Sequence, residues 1–194
     1  MVIGVLALQG DFEAHTALLG GLGAHVREVR VPADLGGLDG LVIPGGESTT
    51  ISLGIEREGL AGPLREFAAA GRPVLGTCAG LIVLDSEHLG VLDVTARRNA
   101  FGRQIASFEL DLSLPGLGER PTHAVFIRAP WVERHGARVD VLAEVEGHPV
   151  AVRQGGVLAV SFHPELSGDD RLHRWLLEAA ERFASQAATT DAAA

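Results

Sequence analysis

The chain has a single thiol, Cys78, and it stands in the segment Gly76-Thr77-Cys78-Ala79-Gly80. The form G-x-C-x-G at a strand-to-helix turn is that of a nucleophile elbow, in which the glycines leave space for a sharp bend that presents sulfur at the mouth of the next helix. Helix N-termini offer main-chain N–H groups and a positive dipole end, which favour the reactive, negatively charged form of a nucleophile. A cysteine nucleophile needs a base, and His163-Pro164-Glu165 supplies one. In an extended segment residues two apart project to one side, so the Glu165 carboxylate can reach an imidazole nitrogen of His163, fix its tautomer and stabilise the imidazolium. Pro164 supports this by disfavouring α geometry at His163. The third element is Gly45-Gly46, where two residues without Cβ let a substrate carbonyl approach main-chain N–H groups. That segment and the Ala79 N–H would form an oxyanion hole. Each element also has a plain alternative: a buried structural cysteine, an exposed H-P-E turn, an ordinary Gly-Gly turn.

The elements that must carry these residues follow from apolar patterning. Val2 to Leu8 is a continuous apolar run bounded by Gly10, as in a strand covered on both faces. Asp11 precedes a predicted helix over 12–22, with Phe12, His15, Leu18, Leu19 and Leu22 at helical spacing before Gly23. Strands follow near His25 to Val31, at Leu41 to Pro44 and at Pro73 to Gly76, with helical stretches starting around Glu47 to Thr50 and spanning Leu60 to Ala70. Alternating strands and helices imply βαβ units and an α/β fold built on a doubly wound, mostly parallel sheet with flanking helices. In such sheets ligands bind beyond the carboxyl ends of the strands, and Gly46, Cys78 and His163 each fall at a predicted strand end. That coincidence lifts all three above their plain alternatives.

The second half reads differently. Short strand-like runs at Ala106 to Leu112, Ala124 to Ile127, Val139 to Val145, Pro149 to Arg153 and Val157 to Phe162 predict an antiparallel extension of the sheet, with a hairpin at Gln154-Gly155-Gly156. Asp169 or Asp170 caps a final helix with Leu172, Trp175, Leu176 and Ala179 inward, fading near Phe183. Residues 1–184 are expected to form one domain and residues 185–194 a frayed, disordered tail.

Composition narrows the class of function. All 16 basic residues are Arg, against 25 acidic ones, for a formal charge of −9 over 194 residues. An acidic surface argues against nucleic-acid binding. The first residues are too short an apolar run, with no basic flank, for a signal peptide or membrane span, and one cysteine permits no internal disulfide, so a cytoplasmic protein with no membrane partner is expected. His15, His25, His88, His123, His135, His148 and His173 are scattered without metal-ligand spacing, and Gln9-Gly10-Asp11-Phe12 is not a dinucleotide fingerprint, so neither a metal nor a cofactor is expected. Arg103 and Arg128 add cations that are either solvated or available to a substrate carboxylate.

G-x-C-x-G after a strand, an upstream P-G-G and a distal H-P-E together resemble the class I, triad-type glutamine amidotransferases, whose fold is flavodoxin-like. More narrowly, Leu8-Gln9-Gly10, Pro44-Gly45-Gly46-Glu47-Ser48-Thr49-Thr50, Arg98-Asn99-Ala100-Phe101-Gly102-Arg103-Gln104, Phe126-Ile127-Arg128-Ala129-Pro130 and Ser161-Phe162-His163-Pro164-Glu165-Leu166 resemble the glutaminase subunits of pyridoxal 5′-phosphate synthase, over nearly the whole chain. The resemblance implies hydrolysis of L-glutamine to glutamate and ammonia, and delivery of ammonia to a separate synthase subunit in a hetero-oligomer. It implies Cys78 as nucleophile, with His163 and Glu165 completing the triad. It implies Gly46, Glu47 and Ser48 as the glutamine-binding and oxyanion loop, Arg98, Ile127 and Arg128 in the substrate site, and Gln9 as the position that responds to partner docking. One departure is visible: Asp85-Ser86-Glu87 is a shorter link to His88-Leu89-Gly90 than the family pattern leads one to expect, which bears on partner contacts there. A cysteine hydrolase or peptidase of similar topology, a non-catalytic binding module, and the same chemistry serving another synthase are the competing readings.

Overall fold

The computed structural model describes residues 1–101 and 107–191. The chain runs through β1 (Val2–Leu6), α1 (Phe12–Gly21), β2 (His25–Val29), a 3-10 turn (Pro32–Leu35), β3 (Gly40–Ile43), α2 (Ser48–Arg57), α3 (Ala61–Ala69), β4 (Val74–Thr77) and α4 (Ala79–Leu84). It continues as β5 (Val94–Arg97), β6 (Ser107–Leu112), β7 (Thr122–Ile127), β8 (Trp131–His135), β9 (Asp140–Val145), β10 (His148–Gln154), β11 (Val157–Val160), α5 (Pro164–Ser167) and α6 (Arg171–Asp191).

The main sheet has seven strands in the order β2-β1-β3-β4-β11-β10-β9. β2, β1, β3, β4 and β11 are mutually parallel, and β10 and β9 continue the sheet antiparallel. The period of two along each buried strand sorts its side chains onto two faces. Leu41, Ile43, Val74, Val157 and Ala159 point to one side, where they meet Ile51 and Ile55 of α2, Leu64 and Phe67 of α3, and the apolar face of α4. Ile3, Val5, Val42, Leu75, Leu158 and Val160 point to the other, against Leu19 of α1 and Leu172, Trp175 and Leu176 of α6. Both faces are covered, which is why these strands read as unbroken apolar runs rather than alternating ones. Each fully buried leucine or isoleucine contributes about 1.5–3 kcal/mol relative to exposure.

The expected antiparallel extension is present in β9 and β10, joined to β11 through the Gly155-Gly156 turn. The other short strands do not join it. β5 pairs with β8, and β6 with β7, as two separate ribbons. Val94 and Val132 bring the first ribbon onto the α2–α4 face, while Leu112, Ala124 and Phe126 bring the second onto the α1–α6 face. A strand pattern says that a segment must bury one face, not which sheet it lies in. The final helix runs to Asp191 rather than fading near Phe183, since the Ala- and Gln-containing segment after Ser185 has good helix formers and no breaker. Ala106, Gly102-Arg103-Gln104 and residues 192–194, all drawn on above, lie outside the described residues. The short link after α4 is closed by Asp85: Oδ1 accepts the Glu87 and His88 N–H groups and contacts the His88 ring, and Oδ2 accepts the Ala96 N–H.

Candidate active site

β4 ends at Thr77 and α4 starts at Ala79, so Cys78 is the whole connection. Its backbone is bent to φ 47° and ψ −103°, a region that non-glycine residues avoid. Strain of this kind costs on the order of 1–3 kcal/mol and persists only when its surroundings enforce it. Here they do: the Cys78 N–H donates to Val160 O at 2.8 Å, and α4 is drawn so close to β3 that a Cβ on Gly80 would lie 2.1 Å from Ile43 O. The second glycine of G-x-C-x-G therefore serves helix–strand packing.

His163 caps α5 with φ −109° and ψ 87°, outside the α region as Pro164 requires. Its N–H donates to Val125 O of β7 at 2.9 Å. Glu165, however, is in the first turn of α5 rather than in an extended segment. The bend at His163 and the tight turn after Pro164 bring the two side chains together: His163 Nδ1 lies 2.7 Å from Glu165 Oε1. The glutamate side chain is fully buried, and that of the histidine is 12% exposed. Burial alone would push His163 below its ordinary value, but hydrogen bonds to Cys78 and to Glu165 outweigh it and raise the ring to about 10. The sulfur and imidazole thus form a pair held from behind by a carboxylate. Gly45 packs on this pair, since a Cβ there would fall 2.5 Å from His163 Cε1 and 3.4 Å from Cys78 Cβ.

Cys78 and His163 open into a cavity of about 550 Å³, also lined by Gln9, Gly46, Glu47, Ser48, Ala79, Arg98, Ile127 and Arg128. It lies beyond the carboxyl ends of β1, β3, β4 and β11, where an open α/β sheet takes its ligands. The model of the SNO glutamine amidotransferase family matches residues 5–182. The chain belongs to that family.

The chain is also similar to proteins named pyridoxal 5′-phosphate synthase subunit PdxT. That of Mycobacteroides abscessus is 54% identical over 186 residues, spanning 91% of this chain and 96% of the relative. That of Streptomyces avermitilis is 55% identical over 181 residues, spanning 89% and 90%. A crystal structure described as a glutamine amidotransferase superposes with a TM-score of 0.87 at 49% identity, covering 93% of this chain and all of the other.

Every cavity residue anticipated from sequence lines this cavity, and Glu165 stands behind it against His163. Glu47 has a structural task as well: its carboxylate caps α2, accepting the Thr50 N–H at 2.7 Å, the Thr50 hydroxyl at 2.8 Å and the Thr49 N–H at 3.1 Å. The bonds from Thr50 and then Thr49 hold it down to about 2. Arg98 bonds Glu47 at 2.7 Å and Thr49 at 2.9 Å, so it braces the loop rather than projecting an unpaired charge. Gln9 Oε1 accepts the Glu47 N–H at 2.7 Å.

Both main-chain groups of Gly45 are already engaged. The Gly45 N–H donates to Thr77 Oγ1 at 3.0 Å, and Gly45 O accepts the Asp11 N–H at 3.2 Å. The sequence reading did not single out Asp11, Ile82, Asn99, Pro130 or Leu166, which also line the cavity. Asn99, like Arg128, holds a positive φ, and asparagine's tolerance of that conformation was the available signal. It also left His15 and His173 among unassigned histidines, although both are fully buried behind Glu165.

Proposed function

We propose that Cys78, His163 and Glu165 form the catalytic triad with which this glutamine amidotransferase hydrolyses L-glutamine to L-glutamate and ammonia. The observation that carries the assignment is the meeting of a sulfur, an imidazole and a buried carboxylate, far apart in sequence, at one end of one cavity. The Cys78 sulfur attacks the side-chain amide carbon of glutamine. Charge develops on the amide oxygen, which the N–H groups of Ala79 and Gly46 receive. His163, carrying its proton on the nitrogen facing the sulfur, hands it to the departing ammonia. It then takes a proton from water as that water attacks the γ-glutamyl thioester, releasing glutamate and restoring the sulfur. Glu47, Ser48, Ile127 and Arg128 hold the amino-acid part of the substrate, with Arg98 bracing Glu47.

The ammonia serves pyridoxal 5′-phosphate synthesis. The protein works in the cytoplasm as one subunit of a hetero-oligomer, and the partner builds the product from a pentose phosphate and a triose phosphate. A glutaminase that fired without its partner would waste glutamine, so the resting loop should be poorly set for catalysis. This is supported by the engagement of Gly45 on both sides and by the bond from Glu47 to Gln9. Turning the Gly45-Gly46 peptide so that an N–H faces the oxyanion breaks the bond from Asp11 to Gly45 O. Docking at Gln9 is where that turn would be driven.

Ammonia release measured with and without the synthase subunit is expected to rise roughly 5- to 150-fold on addition of the partner, the range of ordinary coupling energies. Equal turnover in both conditions contradicts the gating. No turnover in either removes the glutaminase assignment.

A further inference from the structure

Behind the triad lies a buried polar chain that the reaction does not touch. Glu165 Oε1 is taken by His163, but Oε2 is buried and makes no well-aligned hydrogen bond among the described residues. His15 Nε2, on α1, lies 3.4 Å away. The same Nε2 is 3.2 Å from Thr77 Oγ1, the atom that accepts the Gly45 N–H. On its other side His15 Nδ1 is 2.8 Å from His173 Nε2 on α6, and His173 Nδ1 has no hydrogen-bond partner among the described residues. His15, His173 and the Glu165 side chain are all fully buried.

Proton positions follow from counting donors and acceptors. If His15 carried its proton on Nδ1, its bare Nε2 would face a carboxylate oxygen, and His173 would be left with a buried, unpaired N–H. If His173 donates from Nε2 to His15 Nδ1, then His15 Nε2–H is directed at Thr77 Oγ1 with Glu165 Oε2 alongside, 3.4 Å from the nitrogen. His173 Nδ1 is then an unfilled acceptor rather than a buried, unpaired N–H. The second arrangement gives each ring N–H an acceptor and puts a positive dipole against the carboxylate, so it is the more stable.

We infer that His15 is a positioning residue of the triad, whose Nε2–H keeps the second oxygen of Glu165 charged and aimed while His173 fixes the tautomer that makes this possible. Neutrality of both rings fits the role. Burial first, then His173 and His163, holds His15 well below its ordinary value. Burial lowers His173 to about 4 against the opposing pull of Asp170 and Asp169. The groups facing His15 are thus His173 from α6, Glu165 and His163 around α5, and Thr77 from β4.

The inference rests on the triad assignment, and its test reads the sulfur directly. Cys78 is the only thiol, so iodoacetamide alkylation of the full chain as a function of pH reports on the sulfur–imidazole pair alone. In His15→Gln an amide N–H can replace Nε2–H, whereas in His15→Asn the shorter side chain reaches only toward His173. Without the donor, keeping Glu165 charged costs more, His163 is held less firmly as imidazolium, and the acid limb of alkylation moves to higher pH. The expected shift is about one pH unit in His15→Asn and little or none in His15→Gln. With synthase present, ammonia release by His15→Asn should fall roughly tenfold or more in kcat with KM little changed.

His173→Leu gives an independent arm, moving the same limb in the same direction by releasing the tautomer, should His15→Asn not fold. A packing role for His15 would make Gln and Asn act alike or lower kcat without moving the limb, and either result overturns the inference. His163→Asn separates the two levels: if it leaves the alkylation profile unchanged, the triad assignment fails and the inference with it.

Discussion

Cys78→Ala is expected to lose ammonia release by at least about 10⁴-fold while melting near the wild-type temperature. The size follows from the mechanism: without sulfur no thioester forms, and what remains is whatever the oxyanion donors and binding contribute to attack by water. The preserved fold follows from the structure. The strained backbone at Cys78 is imposed by the bond to Val160 and by the approach of α4 to β3, neither of which involves the sulfur. Alanine pays the same conformational cost as cysteine at this φ, so the elbow should persist. Glutamate formation by the pure variant, followed alongside thermal unfolding in the presence of synthase, checks both halves. Wild-type turnover in that variant would end the assignment of the nucleophile.

Glu165→Gln should lower kcat by roughly 10²- to 10⁴-fold with KM within a few-fold of wild type. The amide is nearly the same shape, and its oxygen can still accept from His163 Nδ1, so geometry is largely retained. What goes is the charge, in a site where the carboxylate is fully buried and 2.7 Å from the ring. His163 stands at about 10 because hydrogen bonds to Cys78 and Glu165 overcome burial, and a neutral acceptor in place of the carboxylate weakens one of the two and lets burial reassert itself. The imidazolium is then lost at a lower pH, so the alkaline limb of the kcat/KM profile should move toward neutrality. A variant with an unchanged rate and an unchanged alkaline limb would show that the carboxylate does no electrostatic work on the ring.

Much of this was legible from residues alone, for identifiable reasons. The parallel strands are buried on both faces, and unbroken runs such as Leu41-Val42-Ile43 announce that directly. The elbow was legible because its glycines are demanded by packing, and packing leaves a pattern. The ribbon β6–β7 was expected in the main sheet, since alternation specifies a buried face and leaves the pairing partner open, and β5 and β8 were not anticipated. The contact between His163 and Glu165 was anticipated for an incomplete reason: Pro164 shapes His163 as expected, yet it also opens α5, and the turn supplies the proximity. His15 was legible as an inward position of α1 but not as a neighbour of Glu165, because that proximity depends on how α1, α5 and α6 pack together.

The pair of uncharged histidines enclosed between α1 and α6 also limits how the fold tolerates acid. Both rings hold protons more weakly in the folded chain than in the unfolded one, where each titrates near its ordinary value of about 6.5. The unfolded chain therefore gains protons first as acidity rises, and mass action draws the equilibrium toward it. Their contribution to stability is complete above the ordinary histidine range and drains away as pH falls from there toward about 4. Melting temperature recorded across that window should decline, and His173→Leu should flatten the decline. An enzyme that aims its carboxylate with buried imidazoles has accepted a working range bounded on the acid side by its own interior.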